Sequence, residues 1–305
     1  MYNFSIEEIT PQNLAVKLSV KGERSVRAKH PWIFSDSIEK INKKGKAGDL
    51  CIIFSHTKNK PIGVGLYDPG SPIRVKMLHY GSGATIDYQF FHRKIQEAFV
   101  LRNELLKTDT NSYRIVFGEN DGFPGLIADM YAQVLVVKLY SEIWFPYLDS
   151  ILRSLLELTG CTAIVIRLSR NLQKTETHSL KDGMLLYGSL DDEMVRFKEH
   201  GIQFMANVVK GHKTGYFLDH RANRKRVGEL APDKRVLDVF SYTGGFSVYA
   251  LANGAKEVTS VDVSEHALKL AKSNAKLNSH TGEHYVIAGD AFLVLKKLHS
   301  EGKQY

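Results

Sequence analysis

Three aspartates stand out because each sits at the end of a short run that reads as a β-strand. Asp238 lies in Val236–Phe240, Asp262 closes the stretch Val258–Val263, and Asp290 follows Tyr285–Ala288. The first two are 24 residues apart, near the roughly 20 expected when a crossover helix returns the chain to an adjacent parallel strand and a carboxylate meets a ribose. Carboxylates there accept hydrogen bonds from sugar hydroxyls or from an exocyclic amine. A single aspartate at such a position is more often a helix cap or a turn residue. Three at three successive strand ends point instead to an adenosine ligand.

The turn after the first strand narrows the choice of ligand. Dinucleotide sites use G-x-G-x-x-G so that backbone and helix N-terminus can approach a pyrophosphate. Here the residues are Ser241, Tyr242, Thr243, Gly244 and Gly245, followed by an apolar-faced helix beginning at Phe246, Val248 and Tyr249. Pyrophosphate, and with it an NAD-dependent dehydrogenase, is disfavoured. A sulfonium nucleoside such as S-adenosyl-L-methionine carries a cation and an amino-acid zwitterion, which suits Asp238 beside a close glycine backbone. Candidate cofactor residues are therefore Asp238, Phe240, Ser241, Tyr242, Gly244, Asp262, Val263, Asp290 and Ala291.

Just upstream, KTGYFLDHRANR concentrates positive charge in Lys213, Arg221, Arg224, Lys225 and Arg226. Such charge serves a phosphate or a cofactor carboxylate. Lys213, Tyr216 and Phe217 lie in a glycine-containing loop and are candidates for the cofactor side. Arg221, Arg224 and Lys225 are candidates for RNA, with a solvated basic helix face capped at Asp219 as the plain alternative. Near the N-terminus Arg24, Arg27, Lys29, His30 and Trp32 mix basic and aromatic groups in the manner of an RNA-contacting loop. Trp32 is expected to fill a core.

These residues need elements to hold them, and the texture of the chain supplies three regions. Residues 1–82 alternate β-like runs (14–20, 50–54, 62–67 and 73–78) with Gly, Pro and Asn turns, predicting a small all-β barrel. Residues 83–190 predict an α+β domain. It has a helix over 88–106, a strand over 113–117, a hairpin over 126–140 after the GENDGFPG turns, a helix over 144–158 and a strand over 162–168. Residues 191–305 carry the parallel half-sheet. The fold class is thus multidomain α/β.

Composition sets the setting. The chain has 305 residues, 43% hydrophobic and 24% charged, with a net charge of +8. The charge favours an anionic partner, most commonly nucleic acid. No apolar run reaches the ~18 residues of a membrane span and no signal region opens the chain, so a cytoplasmic protein is expected. Two cysteines, Cys51 and Cys161, exclude a disulfide scaffold or a cysteine-rich metal site, and no metal is expected.

Four segments occur in a recognisable order: HPWIFSD (30–36), GENDGFPGLIAD (118–129), KTGYFLDHRANR (213–224) and LDVFSYTGGFSVYALANGA (237–255). The chain resembles bacterial S-adenosylmethionine-dependent methyltransferases of large-subunit ribosomal RNA, the cytosine-5 type with an N-terminal PUA domain. The resemblance spans nearly the whole chain. It implies a PUA-like barrel, a central α+β domain and a Rossmann-like methyltransferase domain, acting on 23S ribosomal RNA to form 5-methylcytosine.

Such chemistry requires a thiolate, because carbon 5 of cytosine is a poor nucleophile until a cysteine adds to carbon 6. Cys51 and Cys161 sit among apolar strand residues and read as buried packing residues. In the family the Asp-Pro-Pro motif and the nucleophilic cysteine lie downstream of the Asp290 region, whereas this sequence ends 15 residues after Asp290. The expectation is therefore an incomplete methyltransferase domain, a fragment of a longer enzyme whose nucleophile lies beyond residue 305. Its first strand would have an open edge, which invites pairing with another chain, including a homodimer. Methylation of a guanine nitrogen, which needs no cysteine, and a non-catalytic RNA-binding module remain as alternatives.

Overall fold

The computed structural model describes residue 4, residues 6–175 and residues 179–305. The chain forms two compact units. One comprises residues 1–104, 113–191 and 208–210; the other comprises 105–112, 192–207 and 211–305.

The first unit opens with β1 (Asn13–Leu18), α1 (Val20–Arg27), β2 (Trp32–Phe34), β3 (Ile38–Ile41), β4 (Leu50–Phe54), β5 (Pro61–Tyr67) and β6 (Ile73–Tyr80). These strands make one sheet in the order β2-β6-β5-β4-β1-β3, with β1 and β4 parallel. Leu14, Val16 and Leu18 alternate inward with Cys51 and Ile53, and Ile33 from one edge strand joins Ile38 and Ile41 from the other around the same core. Both edges reaching one core means that the sheet curls on itself as a barrel does. The module is not all β. Ser19 caps α1 by accepting from the Gly22 amide, and a Cβ at Gly22 would lie 2.9 Å from the Ser37 carbonyl oxygen, so the short helix packs against the barrel. Trp32 does not fill the core; it is half-buried and its indole Nε1 donates to Glu119 at 3.2 Å. Ile33 takes the core position instead, because period-two alternation in β2 sends neighbours to opposite faces.

Next come α2 (Tyr88–Val100), α3 (Asn103–Leu106), β7 (Ser112–Phe117), β8 (Leu126–Tyr131), β9 (Val134–Leu139), α4 (Leu148–Thr159), β10 (Ala163–Leu168) and β11 (Leu185–Gly188). β7 to β11 form a five-stranded sheet in reverse sequence order, and β8–β9 is the expected hairpin. α2 packs on α4. The α4 segment starts later than its apolar periodicity predicts. Residues Glu142–Tyr147 form a 3-10 turn containing Pro146, which has no N–H for an α-helical ladder. Phe91, Phe123, Trp144 and Tyr147 meet as an aromatic cluster, and Trp144 Nε1 donates to the Pro124 carbonyl. The GENDGFPG turns thus serve packing: Asp121 receives Arg102 and the Phe117 amide.

The second unit contains a hairpin, β12 (Met194–Glu199) and β13 (Ile202–Asn207), whose two-residue turn His200–Gly201 has positive φ at both positions (51° and 77°). That is the type I′ geometry usually encoded by Asn-Gly, so His-Gly conceals it in the sequence. Then follow α5 (Arg221–Leu230), β14 (Arg235–Val239), α6 (Gly245–Ala252), β15 (Glu257–Asp262), α7 (Glu265–Lys276), β16 (Glu283–Ala288) and α8 (Ala291–Ser300). β14, β15 and β16 are parallel and in that order, with Asp238 opposite Ser260 and Asp262 opposite Ala288. α8 covers Val261, Leu237 and Ile287 with Val294 and Leu298. Among the described residues no helix is long and apolar enough to cross a membrane.

Gly188 offers a test of the central sheet. Its φ is +72°, and a Cβ there would lie 1.8 Å from the Thr162 carbonyl oxygen. Gly188→Ala should cost about 2–3 kcal/mol or more from backbone strain and displaced pairing. Urea unfolding followed through Trp32 and Trp144 fluorescence measures it; an unchanged midpoint would contradict this approach of the two strands.

Candidate cofactor site

The site is built on an unusual turn. After β14 the chain alternates into the left-handed region at Phe240 (φ 63°), Tyr242 (47°) and Gly244 (76°). Only glycine adopts this region freely, and other residues pay roughly 1–2 kcal/mol each. Three backbone amides hold the turn: Ser241 N donates to the Val261 carbonyl, Gly244 N to the Ser241 carbonyl, and Tyr242 N to the side-chain Oδ2 of Asp262 at 2.9 Å. Both glycines are needed for close approach. A Cβ at Gly244 would lie 2.7 Å from Ala271 Cβ on α7, and one at Gly245 would lie 2.6 Å from the Tyr216 hydroxyl.

The three aspartates come together at the same end of the sheet, and each also satisfies backbone amides. Asp238 Oδ2 accepts from Ser247 N and Oγ. Asp262 Oδ1 accepts from Ser264 N while Oδ2 holds Tyr242. Asp290 Oδ1 caps α8 by accepting from Phe292 and Leu293 amides. The capping and ligand-facing readings are therefore compatible, since a carboxylate accepts about four hydrogen bonds. Burial raises the Asp238 pKa above the ordinary carboxylate value, the Ser247 bonds oppose that shift, and the neighbouring Asp262 charge adds to it.

Tyr216, Phe217, Phe240, Ser241 and Tyr242 line one cavity of about 220 Å³, with His220, Arg224, Thr243, Gly245 and Phe246. The hydroxyls of Ser241 and Thr243 are buried beside it without a hydrogen-bond partner among the described residues. An unpaired buried hydroxyl costs about 1–3 kcal/mol, which a polar ligand in the cavity would relieve. Phe217 stacks edge-on to Tyr242, and Lys213 Nζ lies 4.1 Å from the Phe217 ring centre. Across the strand ends Phe240 and Val263 are 67% and 79% exposed, and Phe240 meets Phe292 edge-on, so these apolar groups stand open to a ligand. Ala291 is buried under the α8 cap.

Three sequence expectations need correction. Arg224 does not face RNA: it is 2% exposed and lies in a bidentate pair with the fully buried Glu199, at 2.8 and 2.7 Å. It also donates to the Phe217 carbonyl and stacks over Tyr216. The reason is helical spacing, since position 224 shares the buried face of α5 with Gly228. Arg221 is half-buried and donates to the Ser112 carbonyl, leaving Lys225 as the exposed member of the three. Nor does Asp219 cap α5; a 3-10 turn over Leu218–His220 precedes that helix. In the first unit Arg24, Lys29 and His30 are exposed, but Arg24 and Arg27 belong to α1 and not to a loop, and Arg27 pairs with Glu23.

Some contributors escaped the sequence reading. Glu199 has a partner 25 residues away, and Asn274 on α7 donates to the Thr243 carbonyl while accepting from the Met205 amide. The available signal for Asn274 was an amide on the apolar stripe of Ala267 and Ala271.

A parallel half-sheet with a glycine turn, acidic strand ends and buried hydroxyls defines an α/β nucleoside-binding enzyme domain. The S-adenosylmethionine-dependent methyltransferase family profile matches residues 114–303, and a PUA-like domain profile matches residues 16–80. A ribosomal RNA large subunit methyltransferase of Deinococcus radiodurans is 40% identical over 299 residues, covering 96% of this chain and 73% of that protein. Ribosomal RNA large subunit methyltransferase I of Enterobacter sp. is 36% identical, covering 93% and 72%. Among solved structures, a SAM-dependent methyltransferase from Streptococcus mutans aligns at TM-score 0.78 and 20% identity, over 94% of this chain and 74% of that one. A methyltransferase complexed with SAH aligns at 0.79 and 20%, over 95% and 73%. These two structural likenesses establish the fold. The chain belongs to the S-adenosylmethionine-dependent methyltransferase family, and S-adenosylmethionine is its cofactor.

Glu199→Ala should strand the Arg224 charge and cost about 3–5 kcal/mol. Replacing both residues by Met should recover most of that loss. Denaturation midpoints by circular dichroism compare the three proteins, and equal midpoints for Glu199→Ala and the parent would refute the pair's role.

Proposed function

We propose that the protein methylates ribosomal RNA of the large subunit, 23S RNA, with carbon 5 of a cytosine as the acceptor. The observation that carries the RNA class is likeness along 96% of the chain to a protein named for that substrate. The PUA-like module and the exposed Arg24, Lys29, His30 and Lys225 support it, since cations attract phosphate at long range. The order of the HPWIFSD, GENDGFPGLIAD and KTGYFLDHRANR segments supports the cytosine assignment. A cytoplasmic location accords with this substrate, and the free edge of β14 offers a surface for a homodimer.

In this reading Asp262 accepts the ribose hydroxyls, and Asp290 faces the adenine amine beside Val263, Phe240 and Ala291. Asp238, Ser241, Tyr242, Gly244, Lys213, Tyr216 and Phe217 surround the methionine end. Bound there, S-adenosylmethionine supplies an electrophilic methyl group. The chain's own contribution is orientation: the turn holds its amides and hydroxyls in place before the ligand arrives, which lowers the ordering cost. Neither Cys51 nor Cys161 suits the thiolate step. Both are buried, and burial raises both thiol pKa values. Carbon-5 chemistry therefore calls for a third cysteine. Burial of these two favours, as the second reading, a nitrogen acceptor such as guanine, which needs none.

Incubation with unmodified ribosomal RNA and methyl-labelled cofactor, followed by mapping of the label, tests the assignment. Label at cytosine carbon 5 of 23S RNA would support the carbon-5 assignment, label on a guanine nitrogen would replace it with the second reading, and labelling confined to other RNA would overturn the substrate class. Asp262→Ala should weaken cofactor binding by about 1–3 kcal/mol, measured by titration calorimetry; unchanged affinity would remove it from the ribose site. Cys51→Ala and Cys161→Ala should leave turnover unchanged, and its loss in either would reinstate that thiol.

A further inference from the structure

Beneath the cofactor turn a row of polar groups crosses all three parallel strands. Asp238 Oδ2 on β14 accepts from Ser247 Oγ on α6 at 2.6 Å. Ser247 Oγ lies 2.6 Å from Ser260 Oγ on β15, and Ser260 Oγ lies 2.8 Å from His284 Nε2 on β16. Both serines are 0% exposed. Alanine would occupy those volumes without any desolvation cost, so a buried polar row here calls for a reason beyond packing.

The proton inventory gives the row a direction. An ionised carboxylate only accepts, so the single proton of Ser247 Oγ goes to Asp238. Ser260 must then donate to Ser247 Oγ, and its own oxygen can only accept from His284. This requires a proton on His284 Nε2, which in the neutral ring leaves Nδ1 bare. His284 Nδ1 is indeed buried without a hydrogen-bond partner among the described residues, a position that a lone pair tolerates better than an N–H. Burial lowers the His284 pKa to about 4, with His280 and Lys272 charges acting in the same sense, so the ring is neutral near pH 7. At the other end Asp238 faces the Asp262 charge. Its Oδ1 takes no hydrogen bond among the described residues.

We infer that His284 is a positioning residue: acting through Ser260 and Ser247, it orients every proton of the row toward Asp238 and pins Oδ2. Oδ1 is thereby kept as an ionised acceptor for the cationic end of the cofactor. The inference rests on the reading of Asp238 as a cofactor residue. His284 lies 46 residues further along the chain, on the far strand of the sheet.

The first test reads the ring in the unaltered protein, with one variant used only for assignment. Long-range proton–nitrogen correlation spectra of the full chain, labelled at histidine nitrogen and assigned with His284→Gln, should show the Nε2–H tautomer near neutral pH. An Nδ1–H tautomer or an imidazolium would overturn the inference. The second compares S-adenosylmethionine affinity by calorimetry in Asp238→Asn, Ser260→Ala and His284→Phe. Asp238→Asn should show the largest loss, and the other two about a five- to tenfold loss, from roughly one hydrogen bond's worth of positioning. In turnover this should read as a raised KM for the cofactor with kcat unchanged. Full affinity in Ser260→Ala and His284→Phe, with loss in Asp238→Asn, would overturn the relay alone. Full affinity in Asp238→Asn would overturn the cofactor reading of that residue and the relay with it.

Discussion

The second unit depends on a turn that the chain would not adopt by itself. Left-handed backbone at Phe240 and Tyr242 is unfavourable for residues with side chains, and it persists only where surrounding bonds over-determine it. Here the Asp262 carboxylate holds the Tyr242 amide, the β15 backbone holds Ser241, and Ala271 on α7 closes on Gly244. A ligand arriving at this turn meets amides and hydroxyls already fixed. Their ordering cost has been met by folding, which is the physical meaning of preorganisation.

Behind the turn the buried pair of Arg224 and Glu199 performs a similar service for the cavity wall. The guanidinium binds the Phe217 carbonyl and lies against the Tyr216 ring, and the Tyr249 hydroxyl donates to the Glu199 carbonyl. Four segments of the second unit meet at this pair. A buried ion pair adds little net stability against a hydrophobic alternative. Its value here is geometric, because a planar guanidinium with fixed donors sets the relative placement of the hairpin, the KTGYF loop and the start of α6.

The carboxylates show how a structural bond can leave a residue with acceptor capacity to spare. Asp290 is a helix cap and Asp262 a turn clamp, and neither role exhausts the acceptor capacity of its oxygens. Asp238 differs in being desolvated, which disfavours its charged form, while the Ser247 donors favour it. This places a demand on Ser247, and through Ser247 on the strands behind.

The half-sheet was legible because strand, turn and crossover lengths are local properties: β14, β15 and β16 fall within two residues of their β-branched runs, and the acids mark their ends. Four of the six barrel strands (β1, β4, β5 and β6), the β8–β9 hairpin and α2 were legible for the same reason, whereas the short edge strands β2 and β3 were not. What escaped were facts of pairing and facing. The helix α1 hides in a polar stretch, the β12–β13 hairpin turns on His-Gly, and a cluster of five cations gives no hint that Arg224 points inward to Glu199. Sequence by itself determined which backbone segments could form and which groups could do chemistry, since propensity and periodicity act over a few residues. Only the tertiary structure decided which of those groups lose water and which partners they meet, because burial and ion pairing join positions that the chain keeps far apart.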